Sequence, residues 1–131
     1  MAIILSAATR ALVDGRNYAT ISTLNPDGSP HSSVMWITRD GDDLLFSSLR
    51  DRHKERNLRR DPRASVCVWD HESPETYAEV RGTVTITEDT GRVLVDALAL
   101  KYTGEPYPDE PADKVRVVLR LTPTKVAGNA A

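Results

Sequence analysis

A strict alternation of side chains over residues 76–87 limits most strongly what this chain can form. Small or apolar side chains alternate with charged or threonine side chains: Ala78, Val80, Gly82, Val84 and Ile86 against Glu79, Arg81, Thr83, Thr85 and Thr87. Successive side chains of a strand point to opposite faces, so the pattern predicts a strand with one buried and one solvated face. Such strands are typical of antiparallel sheets, and the central glycine predicts a bend.

Five further segments have the composition of strands. They are Tyr18–Leu24, Pro30–Arg39, Leu44–Ser48, Arg63–Asp70 and Val115–Leu121, with Thr124–Gly128 as a short extension. The turn sequences Asn25–Gly28 and Asp40–Gly41 separate the first three and predict two hairpins. The fold class is therefore mostly β with some α. Six mostly antiparallel strands in 131 residues predict a closed or nearly closed barrel, because closure removes exposed sheet edges.

Short helices are expected around these strands. Ser6 is placed to cap a helix that runs to about Val13 and ends at Gly15, and Pro62 stops a helix over Arg52–Asp61. The buried stripe of the first is expected at Ala8, Ala11 and Leu12. A third helix covers Asp89–Tyr102, with apolar positions at Val93, Leu94, Ala97, Leu98 and Leu100. The absence of alternating βαβ units and of a glycine-rich fingerprint argues against a dinucleotide-binding fold.

Length and composition favour one globular domain over residues 1–131. The net charge of −2 gives no general argument for nucleic-acid or membrane binding. The first 15 residues lack a basic start and a long apolar run, so we expect neither a signal peptide nor a membrane span. The single cysteine, Cys67, excludes an internal disulfide and favours a reducing, cytoplasmic compartment.

The segment Arg50–Arg63 carries most of the basic charge of the chain. Seven basic and three acidic side chains give it a net charge of +4, which leaves −6 for the rest. Arg52 and Lys54 fall at the start of the predicted helix, where free N–H groups and the helix dipole favour phosphate. Ser47 and Ser48 precede it as hydroxyl donors. The residues alone support two interpretations equally, an anion site and a solvated helix with internal ion pairs.

No set of side chains in the sequence forms recognisable catalytic machinery. The three histidines lack carboxylate or cysteine neighbours at ligand spacing, so we expect no metal site: His31, His53 and His71. Ser32 and Ser33 lack the setting of a hydrolase nucleophile, and Cys67 lies among valines as an inert thiol. We therefore expect no catalytic amino acid, and an enzyme of this composition needs a cofactor to carry its reaction.

The run SSLRDRHKERNLRRDPRASVCV, residues 47–68, resembles the pyridoxamine-phosphate-oxidase-like split-barrel family. More narrowly, it is similar to the branch that binds the deazaflavin coenzyme F420. Three further segments match in order and spacing: ATISTLNPDGSPHSSVMW, YAEVRGTVTI and RVVLRLTPTKVAG. The resemblance spans nearly the whole chain and implies a six-stranded antiparallel split barrel with short flanking helices.

The resemblance also implies a homodimer with each cofactor in a groove at the interface. The cofactor-binding residues that it implies are Ser32, Ser33, Val34, Met35 and Trp36 along the ring, Ser47 and Ser48 beside the ribityl chain, Arg52 and Lys54 at the phosphate and acidic tail, Arg56 and Asn57 in support, and Trp69 and Tyr77 across the interface. The implied reaction is hydride transfer from reduced F420 to an unsaturated small-molecule acceptor, with solvent as the proton source.

Three alternatives remain open from the sequence. Relatives on the same fold use FMN, so an FMN-dependent oxidoreductase is the first. The second is a protein that binds F420 or FMN without catalysis. The third is a barrel that binds single-stranded nucleic acid through its basic helix, but the acidic net charge and the lack of aromatics interleaved with the basic residues argue against it.

Overall fold

A computed structural model describes residues 3–131 of the chain. Its helices are α1 (Ala7–Asp14), α2 (His53–Arg60) and α3 (Val93–Thr103), the last preceded by a 3-10 turn at Thr90–Arg92. Its strands are β1 (Ala19–Leu24), β2 (Pro30–Met35), β3 (Thr38–Asp40), β4 (Asp43–Leu49), β5 (Arg63–Trp69), β6 (Tyr77–Glu88) and β7 (Arg116–Ala127). Of the helices in this range, none is long and apolar enough to cross a membrane.

The strands form one antiparallel sheet in the order β2-β1-β5-β6-β7-β4-β3. The predicted class, an antiparallel split barrel with short helices, is confirmed. The sheet is not closed, because β2 and β3 are its edges. One core cluster contains Ile21 of β1, Phe46 of β4 and Leu119 of β7, so the sheet curls around a single interior.

The strand count is seven in the described chain, where the sequence predicted six. The predicted strand Pro30–Arg39 is interrupted at Trp36 and Ile37. The Ile37 N–H donates to Tyr102 Oη at 3.2 Å, and its carbonyl accepts from Lys101 Nζ at 2.7 Å. Side chains of α3 therefore take the backbone groups that a continuous strand would pair. The predicted extension Thr124–Gly128 is part of β7, which runs unbroken to Ala127.

The first helix begins where the sequence predicts. The Ser6 side chain accepts from the Thr9 N–H at 3.1 Å and so caps α1. Leu12 is buried as expected, but the expectation for Ala8 and Ala11 is wrong, because both are exposed. The buried positions are Thr9, Leu12 and Val13. The Thr9 hydroxyl is accommodated because it donates to the Ala130 carbonyl at 2.6 Å.

The third helix also buries a different stripe from the one predicted. Its interior residues are Leu94, Val95, Leu98 and Ala99. Leu94 and Leu98 agree with the sequence, whereas Val93, Ala97 and Leu100 face outwards. Asp89 anchors the helix start, because its carboxylate accepts from the N–H groups of Leu94 and Val95 at 3.0 Å each. This anchor, rather than apolar periodicity alone, sets how the helix is rotated.

The bend predicted at Gly82 is present in β6. The register against β7 shifts between Arg81 and Gly82, which is a β-bulge. A Cβ on Gly82 would lie 2.1 Å from the carbonyl oxygen of Thr122. The two longest strands can approach this closely only because position 82 has no side chain.

We expect Gly82→Ala to lower the free energy of unfolding by about 2–3 kcal/mol, because the new methyl group must displace a backbone carbonyl. Urea unfolding measures this. Thr85→Ala, an exposed position on the same strand, is the control and should cost no more than about 1 kcal/mol. Equal urea midpoints for the two variants would contradict the close contact.

Candidate functional site

A cavity of about 280 Å³ opens between the edge strand β2 and the start of α2, and we call it the split cavity. Its lining comes from seven parts of the chain: Tyr18, Val34, Met35, Trp36, Ser47, Lys54, Val95, Leu98, Tyr107 and Arg116. Five of these were predicted as cofactor-binding residues from the sequence, namely Val34, Met35, Trp36, Ser47 and Lys54. The fold therefore brings together predicted residues that are up to 20 positions apart in the sequence.

The open edges of the sheet create this cavity. The pairing of β3 with β4 extends only to Thr38 opposite Leu45, so the end of β4 that carries Ser47 has no neighbour on that side. On the other side, β2 pairs only with β1. Edge strands present backbone N–H and C=O groups that no ladder uses. The cavity thus has polar backbone available along one wall.

Aromatic side chains form the second wall. Trp36 stacks on Tyr102 with ring centroids 5.2 Å apart and planes 5° apart, and Tyr107 meets Trp36 edge-on at 6.3 Å. Tyr102 is anchored by its hydroxyl, which donates to the Asn17 carbonyl. Tyr18 lies at the rim, 44% exposed. The sequence did not indicate these tyrosines, because they come together only in the folded chain.

A cationic end completes the split cavity. Lys54 is half-buried, and burial lowers its pKa, with the neighbouring Arg52 lowering it further. Arg116 was not predicted; its Nε and Nη2 donate to the two carboxylate oxygens of Glu110 at 2.8 and 3.1 Å. The Arg116 guanidinium also lies 4.6 Å from the Tyr107 ring centroid. The arrangement suits a ligand with a flat apolar part and an anionic part.

The structure divides the basic segment into paired and unpaired cations. Arg50, Arg59 and Arg63 pair with Glu88, Glu55 and Asp61. Arg60 donates to the Leu24 carbonyl. Within residues 3–131, no carboxylate pairs with Arg52, Lys54 or Arg56. The solvated-helix interpretation therefore fits the last turn, and the anion-site interpretation fits the first.

The first turn of α2 has no side-chain cap. Arg52 occupies the N-cap position and makes no capping hydrogen bond. The nearest acid of the helix, Glu55, is fully buried and accepts from the Asp51 N–H at 2.9 Å and from Arg59. Asp51 itself has a φ of +71°. Because the carboxylate faces inwards, the outer surface of this turn combines free N–H groups with unpaired cations, which favours an anion.

Asn57 is directed away from the split cavity. It is 2% exposed, and its amide donates to Thr23 Oγ1 at 3.0 Å and Asn25 Oδ1 at 3.1 Å. These bonds fix α2 on the β1–β2 hairpin. Arg56, one position earlier, is exposed. The motif thus contains one residue that positions the helix and others that present charge to solvent.

The remaining predicted residues lie around the cavity or away from it. Ser48 is a buried residue of β4, and the Ser32 hydroxyl lies 2.8 Å from that of Ser22 on the outer face. The Ser33 hydroxyl is buried with no hydrogen-bond partner. Trp69 and Tyr77 line a separate depression of about 510 Å³ with Cys67, Pro74 and Glu75. Their predicted role across a dimer interface stays a prediction.

These residues fit a flavin-type cofactor. An aromatic and apolar wall suits a planar ring, and three unpaired cations suit a phosphate with further negative charge. Ser33 Oγ and His31 Nδ1 are buried polar atoms to which the described part of the chain supplies no hydrogen-bond partner. In residues 3–131, no three histidine, cysteine, aspartate or glutamate side chains gather as a metal ion would require.

We expect Asn57→Ala to lower the free energy of unfolding by about 2 kcal/mol, because a buried amide loses its hydrogen bonds to Thr23 and Asn25. Arg56→Ala on the same helix should change it by less than about 0.5 kcal/mol, since its side chain is exposed. Urea denaturation compares the two. A larger loss for Arg56→Ala would show that the charge at position 56, not the amide at 57, holds the helix.

Comparisons with known proteins agree with this geometry. The family model described as Pyridoxamine 5'-phosphate oxidase matches residues 5–130. A solved structure named F420 Reductase is 32% identical, with a TM-score of 0.83, and the match covers 94% of this chain and 98% of that one. A conserved hypothetical protein of Mycobacterium tuberculosis is 26% identical, with a TM-score of 0.75 over 95% of this chain and 84% of that one.

A third structure shares the fold. It is a pyridoxamine 5'-phosphate oxidase-related, FMN binding protein of Nostoc punctiforme, 22% identical, with a TM-score of 0.62 over 91% of this chain and 76% of that one. The family model covers nearly all of the sequence, and the 32% identical structure is matched over almost its whole length. The chain therefore belongs to the pyridoxamine 5'-phosphate oxidase family.

Proposed function

We propose that this protein is an F420-dependent reductase that transfers a hydride from the reduced deazaflavin to an unsaturated organic acceptor. The observation that carries the proposal is the contact between two features: an aromatic, apolar cavity and a helix start with three unpaired cations. Lys54 belongs to both, because it lines the split cavity and lies in the first turn of α2. The similarity to a structure named F420 Reductase supports the choice of cofactor.

The number of unpaired cations favours F420 over FMN. A single phosphate monoester needs one or two charged donors, whereas a phosphodiester with a glutamate tail carries additional negative charge along its length. Lys54 lines the cavity, and Arg52 and Arg56 lie further out. The three cations are therefore spread out, as the negative charges of such a ligand are. FMN remains the second candidate, supported by the fold shared with a protein named as FMN binding.

The protein's own part in the reaction is to orient the ring and exclude water. When bound, the reduced deazaflavin supplies the hydride. Trp36, fixed in place by Tyr102, gives the ring a rigid aromatic surface, and the free backbone edge of β2 offers N–H donors to its polar rim. Val95 and Leu98 of α3 keep the opposite side dry. Solvent provides the proton in this proposal.

A second copy of the chain completes the site in our proposal. The cavity of about 280 Å³ lies just below the usual size of small-molecule pockets, roughly 300–1,000 Å³. Its rim leaves Val34 63% exposed and Tyr18 44% exposed. Val34, Thr20 and Cys67 are register neighbours across β2, β1 and β5, so the outer sheet face runs from this rim towards Trp69 and Tyr77. A partner packed on that face would cover both regions.

We expect Lys54→Ala and Arg52→Ala each to weaken F420 binding by about 1–3 kcal/mol, because each loses a charge-assisted hydrogen bond. Fluorescence titration of the purified protein with F420, and in parallel with FMN, measures this. Arg63→Ala is the matched control, since Arg63 is exposed and paired with Asp61. Wild-type affinity in both site variants would place the anion site elsewhere.

The same titrations separate the candidate functions. Tight F420 binding, followed by oxidation of reduced F420 in the presence of a naphthoquinone or an enone, supports the proposed reductase. Preferential FMN binding assigns the protein to the flavin-dependent alternative. F420 binding with no oxidation by any acceptor would contradict the enzyme proposal and favour a carrier.

We expect the protein to be a homodimer with twice the chain mass of 14.5 kDa in sedimentation equilibrium. Val34→Asp should shift the equilibrium towards the monomer and weaken F420 binding, because a carboxylate would be buried in the interface. Thr85→Asp, an exposed position on β6, is the control. A monomeric wild type that binds F420 tightly would show that one chain suffices.

A further inference from the structure

Two histidines far apart in the sequence stack against each other beside the basic end of α2. The rings of His31 on β2 and His53 on α2 have centroids 4.1 Å apart and planes 16° apart. His53 is the first helical residue, directly before Lys54. His31 shares a face of β2 with Ser33 and Met35, and Met35 lines the split cavity. The pair therefore lies at one end of a face that leads into the cavity.

In residues 3–131, each ring has one nitrogen that makes no hydrogen bond. His53 Nε2 lies 2.6 Å from Asn25 Oδ1, which also accepts from the Asn57 amide at 3.1 Å. Because that oxygen is an acceptor, His53 Nε2 is the donor and the Nδ1 of the neutral ring is free to take a proton. His31 Nδ1 is buried with no hydrogen-bond partner. The pair can thus gain a proton without breaking a bond.

The charges around His53 are almost all positive. Lys54, Arg56 and Arg60 of α2 face it, and His31 faces it from β2. From the hairpin turn, the Asp27 carboxylate is engaged by the Ser29 N–H and hydroxyl. Partial loss of hydration lowers the pKa of His53, and His31 and these cations lower it further. These neighbours therefore disfavour a positive charge on His53 in the absence of an anion.

We propose that the His31–His53 pair is part of the anion site at the first turn of α2 and takes up a proton from solvent when an anion binds there. The inference deepens the proposed function, since that anion would be the acidic portion of the cofactor. A bound negative charge offsets the repulsion from the surrounding cations, so protonation of one ring becomes favourable. Stacking at 4.1 Å opposes protonation of both rings, which limits the uptake to about one proton.

The sign of the resulting pH dependence follows from linkage. If binding takes up protons, lowering the pH favours the complex, and affinity for a non-titrating anion increases as the pH falls. We expect the Kd for sulfate to rise about fivefold from pH 5.5 to pH 7.5. Uptake of one full proton at every pH in this range would raise the Kd up to about tenfold per pH unit. Sulfate is the probe because it remains a dianion over this whole range.

NMR titration of the imidazole Cε1–H signals tests the proposal directly, because the chain has only three histidines. With saturating sulfate, the midpoints of His53 and His31 should rise by a combined shift of at least about 0.7 pH unit, because a fivefold change in affinity requires that much. His71, exposed in the turn after β5, is the internal reference and should not move. The fivefold pH dependence of sulfate affinity should persist in His71→Asn and fall below about twofold in His53→Asn.

The outcomes separate this inference from the proposed function. If F420 binds and depends on Lys54, but sulfate leaves the midpoints of His31 and His53 unchanged, the proton coupling is overturned and the reductase proposal survives. If sulfate raises those midpoints but neither F420 nor FMN binds, the histidine-linked anion site stands and the redox function falls. A pH dependence equal in wild type and His53→Asn would also overturn the coupling.

Discussion

The backbone of Ile37 is held by two side chains of α3, and the split character of the fold depends on this contact. Its N–H donates to Tyr102 Oη and its carbonyl accepts from Lys101 Nζ. With those groups taken, Pro30–Arg39 cannot form one strand, and β2 and β3 become separate edges of the sheet. The same Tyr102 stacks on Trp36. One contact between distant parts of the chain thus opens the sheet and fixes the aromatic wall of the resulting cavity.

The second determinant is the way α2 distributes its charges. Its acid, Glu55, is buried and bonded to Arg59, so it does not neutralise the outer surface of the first turn. Asn57 meanwhile ties the helix to the hairpin that leads into β2. The helix start that carries the unpaired cations is therefore held in place, with Lys54 in the lining of the split cavity. A solvated helix of the same composition would pair its charges internally and would not need such anchoring.

The split cavity and the histidine pair are both formed by residues that are distant in the sequence and adjacent in the fold. Ser47, Lys54 and Arg116 come from β4, α2 and β7, and they converge because the sheet curls around one core. His31 and His53 are 22 positions apart in the sequence and in ring contact in the fold. In both cases the chemistry depends on an end of α2 meeting an edge of the sheet. In the proposed function, ligand binding would therefore be most sensitive to substitutions that change the charge at the first turn of α2.

Local patterns in the sequence determined much of this protein. Period-two alternation located β6, turn residues located the hairpins, and Ser6 located the start of α1, because each of these signals acts through neighbouring residues. The basic motif predicted Lys54 and Arg52 as cofactor-binding residues; Lys54 lines the split cavity, and the binding role of both stays a prediction. The interruption at Ile37, the exposed Ala8 and Ala11, and the contributions of Tyr107 and Arg116 were decided only by tertiary structure. They depend on contacts between residues distant in the chain, and no local periodicity encodes which side chains those contacts will bring together.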